Sequence, residues 1–236
     1  MSAPTWQQLS PTVWILEYAF ASSAFAHTFA CKLADGTVAV TSPATNVDRS
    51  ALDALAELGP VSAIVAPNGF HHLGVAAWRE AFPAARVYAS KQTAARVAKQ
   101  NPKAGAFDDL DELAAKTGPD VGFVVVPDTK AGETWVWAKT DLGYVWFVSD
   151  TLANIPRLPP NPFVKLLFWV TKSAPGFRVF HLALGFLVRD KKATLRRFAD
   201  ALAERPPAIV VPGHGPPITG ADAAERTREV VAAALA

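Results

Sequence analysis

Ala208-Ile209-Val210-Val211-Pro212-Gly213-His214-Gly215 is the segment on which the fold turns: a short apolar run, a Pro-Gly break, then a histidine. Such a run suits a buried strand, and the proline and glycine end it. The same grammar occurs twice upstream. Val61–Ala66 leads through Pro67-Asn68-Gly69-Phe70 into His71 and His72, and Tyr144–Val148 leads through Ser149 into Asp150. In α/β sheets polar ligands gather where strands end, because strands fix the loop roots and loops leave polar groups free. Three imidazoles and a carboxylate from three strand ends could supply the N and O ligands that zinc and similar ions take.

Each residue also has a plainer reading. A single strand-end histidine is more often a solvated or capping residue, and Asp150 before Thr151 could cap a turn. On a strand the adjacent His71 and His72 would point to opposite faces. They converge only if the segment is a loop or a first helical turn, which Gly69 and Gly74 permit.

Outward from these segments the pattern is strands first, then strands and helices in alternation. Residues 12–19 and 30–33 read as extended, Asp35-Gly36 as a tight turn and 37–41 as the returning strand. Helices are expected over 51–58, 75–82, 91–100, 195–202 and 221–235, the third capped by Ser90. Strands are expected at 86–89, 121–126 and 134–138, the last turning through 140–143 into Tyr144. Residues 151–189 are irregular, with Pro156, Pro159, Pro160, Pro162 and Pro175 interrupting apolar patches. The chain of 236 residues is expected to be one α/β domain (1–236), with 151–189 as an elaboration.

Composition narrows the functions. Half of the residues are hydrophobic and the net charge is +2 without blocks of either sign, so neither disorder nor a nucleic-acid partner is expected. Cys31, the single cysteine, rules out an internal disulfide and a cysteine-rich metal site. Histidines and carboxylates remain as ligands. The most apolar stretch, 163–188, is broken by Lys165, Lys172, Pro175, Arg178 and His181, so no transmembrane segment is expected and the location is read as cytoplasmic.

Pro-Gly-His-Gly at 212–215 and Val-Ser-Asp at 148–150, each after an apolar strand, resemble the last two metal-binding motifs of the metallo-β-lactamase superfamily. Asn-Gly-Phe-His-His-Leu-Gly at 68–74 sits where that superfamily carries His-x-His-x-Asp-His. The stretches Leu33–Pro43, Ala66–His72 and Trp78–Pro83 resemble an uncharacterised branch in which the His-His pair is usual. The resemblance implies a four-layer αββα sandwich of the metallo-β-lactamase type.

Carried over residue by residue, His72 matches the last histidine of the first motif and His71 takes the Asp position before it. Pro67 and Gly69 stand where two earlier histidines belong, and Thr129 where the middle histidine belongs. The resemblance therefore implies one divalent transition metal, zinc before iron or manganese, held by His71, His72, Asp150 and His214. Asp150 would share in catalysis, with Asn68 and Thr129 donating hydrogen bonds to a substrate oxygen. The expected function is a mononuclear hydrolase of a small ester, lactone or amide; the alternative is an inactive member that keeps metal and binds a ligand or protein. An oligomer is left open. Within the insert, Phe163, Leu166, Leu167, Phe168 and Trp169 read either as part of short helices covering a sheet or as a lid favouring an apolar substrate. Membrane-surface docking is a third reading, since apolar and basic residues alternate there.

Overall fold

Strands buried on both faces divide the chain into layers. The computed structural model describes residues 5–21, 24–158 and 160–236, so Pro159 of the insert lies outside the described residues. A seven-stranded sheet runs in the order β1 (Trp6–Ser10), β2 (Val13–Ala21), β3 (Ala24–Lys32), β4 (Val38–Thr41), β5 (Val61–Ala66), β6 (Arg86–Ala89) and β7 (Asp108–Asp109). Pairing is antiparallel from β1 to β4 and parallel from β4 to β7. A second sheet has the order β13 (Pro207–Val211), β10 (Gly143–Phe147), β9 (Thr134–Thr140) and β8 (Val121–Val125), and only its β10–β13 pair is parallel.

Alternating side chains decide which seam each residue fills. On β2, Val13 and Ile15 enter the core between the sheets; Trp14 and Leu16 face outward to α1 (Arg49–Leu58), α2 (Val75–Ala81) and α3 (Lys91–Gln100), meeting Leu55, Val75, Trp78 and Val97. Phe147 and Val211 likewise point between the sheets. Trp146 and Val210 face a third seam filled by α6 (His181–Leu187), α7 (Lys191–Glu204) and α8 (Ala223–Leu235). Helix, sheet, sheet, helix is the four-layer arrangement the sequence implied. Cys31 fills the central seam.

The insert is more ordered than its prolines suggested. β11 (Leu152–Ile155) and β12 (Gly176–Val179) pair as an antiparallel ribbon, with α5 (Pro162–Val170) between them. Helix α6 closes over the second sheet through Leu184 and Leu187, whereas α5 buries no residue at all. Of the short helices expected to cover a sheet, α6 does so and α5 does not. Among the described residues no helix is long and apolar enough to cross a membrane.

The loops after β5, β10 and β13 meet at one edge of the sandwich. His27 on β3 donates its backbone N–H to Gly213 O at 3.0 Å, Gly213 N donates to Ser149 O at 2.6 Å, and Asn154 N donates to His214 O at 2.9 Å. Gly74, at the entry to α2, lies against the carbonyls of Pro43 and Ala44, where a Cβ would strike backbone. Gly74→Ala is therefore expected to displace the 71–74 turn and lower stability by about 2 kcal/mol or more. A urea midpoint equal to wild type would refute this reading of the turn.

Candidate metal centre

Asp150 follows Ser149, which holds the left-handed backbone region (φ 46°) at the end of β10. A non-glycine residue there is strained and persists only where its surroundings fix it. The carboxylate is nearly inaccessible, at 3% exposure. Its Oδ1 lies 3.2 Å from His71 Nε2 and 3.1 Å from His214 Nε2, and its Oδ2 accepts from Asn68 Nδ2 at 2.9 Å. Burial alone would raise the Asp150 pKa, but the charge of His71 and the hydrogen bonds of His214 and His71 hold it well below the usual carboxylate range.

The far nitrogens of both rings are anchored. His214 Nδ1 lies 2.8 Å from Phe25 O, an atom that can only accept, so Nδ1 carries the proton. His71 Nδ1 lies 2.8 Å from Ser42 Oγ, and Ser42 is another left-handed residue at φ 59°. A neutral His214 thus aims the lone pair of Nε2 at the oxygen of an anion. Two acceptors facing each other are unfavourable unless a proton or a cation lies between them. Burial lowers the His214 pKa, and the hydrogen bond and charge of Asp150 more than reverse that, so it is raised overall.

The donor set meets what a divalent ion requires. His71, Asp150 and His214 each offer a ligand atom, all within 4.8 Å of one another. Ligands at roughly 2.0–2.2 Å from one ion lie about 3–3.5 Å apart, close to the two measured separations. The histidine whose outer N–H is held by a backbone carbonyl is the arrangement that fixes tautomer and ring direction in metal sites.

His72 is not brought to this group. The 71–74 turn sends adjacent side chains in different directions, and His72 Nδ1 instead faces Asn101 Nδ2 at 3.5 Å. Burial lowers its pKa, with His71 and Arg96 adding to the effect. The carry-over that made His72 a ligand is corrected here: among the described residues, His71 is the member of the pair that meets Asp150 and His214. Thr129 is likewise elsewhere. It pairs through an isolated bridge with Val188; among the described residues its buried Oγ1 has no hydrogen-bond partner, and it is not in the lining of the cavity at Asp150.

Asn68 is at the site but turned to support. Its Oδ1 accepts from Phe70 N and His71 N at 2.8 and 3.0 Å, which fixes the amide orientation. Nδ2 then donates among Asp150 Oδ2, Glu133 Oε2 and Ser149 Oγ. Glu133, which no motif identified, is fully buried and accepts from Asp150 N and Thr151 Oγ1 at 3.1 and 2.9 Å. Burial, then the charge of Asp150, pushes its pKa well above the ordinary value.

A cavity of about 300 Å³ opens over His71, Asp150 and His214, walled by Phe20, Phe70, Phe180, Leu182 and Phe186, with Tyr18 alongside. The wall comes from β2, the loop after β5, the end of β12 and α6, not from the residues expected to form a lid: Phe163, Leu166, Leu167 and Trp169 are exposed on α5. Burial lifts the Tyr18 phenol to about 12, so it remains a donor at neutral pH.

His27 holds the His214 loop from beneath. Besides the backbone bond to Gly213, its Nδ1 lies 3.1 Å from Pro212 O and must donate to it. Burial pushes its pKa down to about 4 from 6.5. Between these values the unfolded chain binds a proton that the folded chain refuses, so stability falls as pH drops from 6.5 to 4. The loss attributable to His27 is about 3 kcal/mol. His27→Asn places an amide N–H where Nδ1 sits, so it keeps a donor for Pro212 O, and it does not titrate. Urea unfolding from pH 7.5 to 4 should give a shallower decline for the variant; parallel curves would remove His27 as the cause.

No protein-family model and no curated protein sequence matches the chain. Solved structures do. A metallo-β-lactamase from Pontibacter korlensis superposes with TM-score 0.60 at 14% identity, covering 97% of this chain and 99% of that one. The metallo-β-lactamase FIM-1 from Pseudomonas aeruginosa in its mono-zinc form gives 0.59 at 14% identity, covering 99% and 97%. A flavo di-iron protein from Thermotoga maritima gives 0.60 at 13% identity over all of this chain and 61% of that one. With two sheets packed face to face between helical layers, the chain has the metallo-β-lactamase fold.

Proposed function

We propose that the chain is a hydrolase of small esters, lactones or amides that works with one divalent transition metal. The ligands are His71, Asp150 and His214. The observation that carries this reading is the convergence of His71 Nε2 and His214 Nε2 on Asp150 Oδ1 at 3.2 and 3.1 Å, with His214 Nδ1 held at the Phe25 carbonyl. Two imidazoles and one carboxylate suit zinc, and also iron(II) or manganese. The mono-zinc form of the Pseudomonas aeruginosa enzyme is a precedent for a single zinc on this fold.

When bound, such an ion lowers the pKa of water and polarises a carbonyl as a Lewis acid. Three protein ligands, rather than the four implied by the sequence, is the count found in catalytic sites, where a position stays open. The chain's own groups have defined tasks around it. Asn68 holds the carboxylate, while the Phe25 carbonyl and the Ser42 hydroxyl hold the imidazoles. Tyr18, a phenol that is protonated at neutral pH, lines the cavity and offers a hydrogen bond to a substrate oxygen. The aromatic and aliphatic wall selects an apolar acyl or ring portion and limits access of bulk water.

One observation favours the alternative, a non-catalytic metal protein that binds a ligand. Among the described residues Asp150 is the only carboxylate lining this cavity, and both oxygens of Glu133 are engaged below it. A free carboxylate to take a proton is therefore missing from the lining.

Elemental analysis of protein purified without a metal-affinity tag is expected to find about one equivalent of transition metal. His214→Ala should abolish it, whereas His72→Ala should leave it in place. Two equivalents, or loss with His72→Ala, would overturn the three-ligand site. Generic esters and lactones then separate the readings: turnover that disappears on metal stripping and returns on readdition supports the hydrolase, and its absence supports the binding protein.

A further inference from the structure

Helix α5, Pro-Phe-Val-Lys-Leu-Leu-Phe-Trp-Val at 162–170, is apolar around most of its circumference and buries none of its residues. A helix apolar on all sides belongs in a protein core or a lipid phase. Phe163 is 83% exposed and Trp169 67%, with Leu166, Leu167 and Val170 also in solvent. Phe168 is the root: it packs on Phe180 with ring centroids 5.8 Å apart. Asn161 caps the helix by accepting from Phe163 N and Val164 N, so the element is built locally, without help from the sheets.

The charges around α5 say what covers it. Between Asp150 and Asp190 the sequence contains no carboxylate, while Arg157, Lys165, Lys172 and Arg178 are all exposed. None of the four makes an ion pair among the described residues. A second copy meeting this face across a two-fold axis would set these cations against their own equivalents, with no acid in the segment to answer them. An anionic lipid surface answers both features at once, taking the apolar helix below the headgroups and the cations among the phosphates.

We propose that α5 and its flanking cations are a docking surface for anionic lipid bilayers, with the helix lying in the plane of the interface. Nine residues span about 13 Å at 1.5 Å each, far short of a bilayer, so the helix rests on the membrane without crossing it. Trp169 and Phe163 enter the acyl boundary, and Lys165 extends its ammonium group to the headgroups. Beside the helix an apolar groove of about 620 Å³ runs past Phe168, Leu158, Phe25 and Phe20 to His214, so the docked face lies next to the entrance of the metal-site cavity. The docking itself does not depend on whether His214 holds a metal.

Sedimentation with vesicles tests this, using the full chain and phosphatidylcholine vesicles with or without phosphatidylglycerol. Binding is expected to the mixed vesicles, to weaken with salt, and to be much weaker to phosphatidylcholine alone. Lys165→Glu with Lys172→Glu should reduce it by about tenfold or more. Phe163→Ser with Trp169→Ser should reduce it to background while leaving the circular dichroism spectrum and Tm unchanged, because both side chains are exposed. Failure of the wild-type protein to sediment with mixed vesicles overturns the proposal, as does sedimentation insensitive to either pair of substitutions. Self-association abolished by Phe163→Ser with Trp169→Ser, without vesicle binding, would assign the face to a second copy instead.

Discussion

An almost fully buried carboxylate, Asp150, is the constraint to which the rest of the site answers. An ionised carboxylate removed from water costs several kcal/mol unless charges and hydrogen bonds replace its hydration. Here two ring nitrogens meet one oxygen and an amide N–H meets the other. Glu133 lies just below and shares the same Asn68 amide, so a second anion in the same apolar surroundings would repel the first. That is why the two carboxylates are driven in opposite directions, Asp150 toward the ionised form and Glu133 toward the neutral one. With a proton on His214 the pocket is neutralised from within. With a metal, the same lone pair is free and the ion supplies the charge, so metal binding and proton release are coupled through one imidazole.

Individual strands were legible in the sequence because both sheets are covered on both sides, whereas the four-layer order came from the family resemblance. Strands such as Val61–Ala66 and Pro207–Val211 read as unbroken apolar runs, and Lys91–Gln100 was bounded by its Ser90 cap. Trp6–Ser10 was not legible: Gln7 and Gln8 are exposed on an edge strand, where one face alone carries the signal. The ribbon Leu152–Ile155 with Gly176–Val179 joins residues separated by a whole helix, and local periodicity holds no record of such a partner. The same holds for Thr129, whose position follows from pairing with Val188 at the far end of the insert.

The site was legible to the level of segments and not of atoms. Strand ends carrying Asp150 and His214 could be recognised because the chemistry and the strand termination coincide. Choosing between His71 and His72 required the rotation of the turn, which depends on Gly74 seating against Pro43 and Ala44 and on Asn68 Oδ1 holding two backbone N–H groups. Neither contact has a sequence signature. The supporting contacts of Glu133 and His27 were hidden for another reason. Both residues act on the site through Asp150 N, Thr151 Oγ1, Gly213 O and Pro212 O, and backbone-directed support leaves no motif spacing to find.

The insert ties this centre to its surroundings because it begins at Asp150 itself. From there the chain runs through β11, out along α5, back along β12 and into Phe180, whose ring packs against His214 with centroids 5.8 Å apart. Phe180 also touches Phe168, so one aromatic side chain joins the His214 loop to the root of the exposed helix. A displacement of α5 large enough to move Phe168 must repack Phe180, and the histidine ring shares that contact. The Nδ1 bond to Phe25 O resists rotation of the ring, because turning it would leave a carbonyl and an N–H unpaired near the apolar wall. The aromatic contact therefore governs access to His214 more readily than it alters the direction of its lone pair, which separates what the insert can regulate from what the strand ends hold fixed.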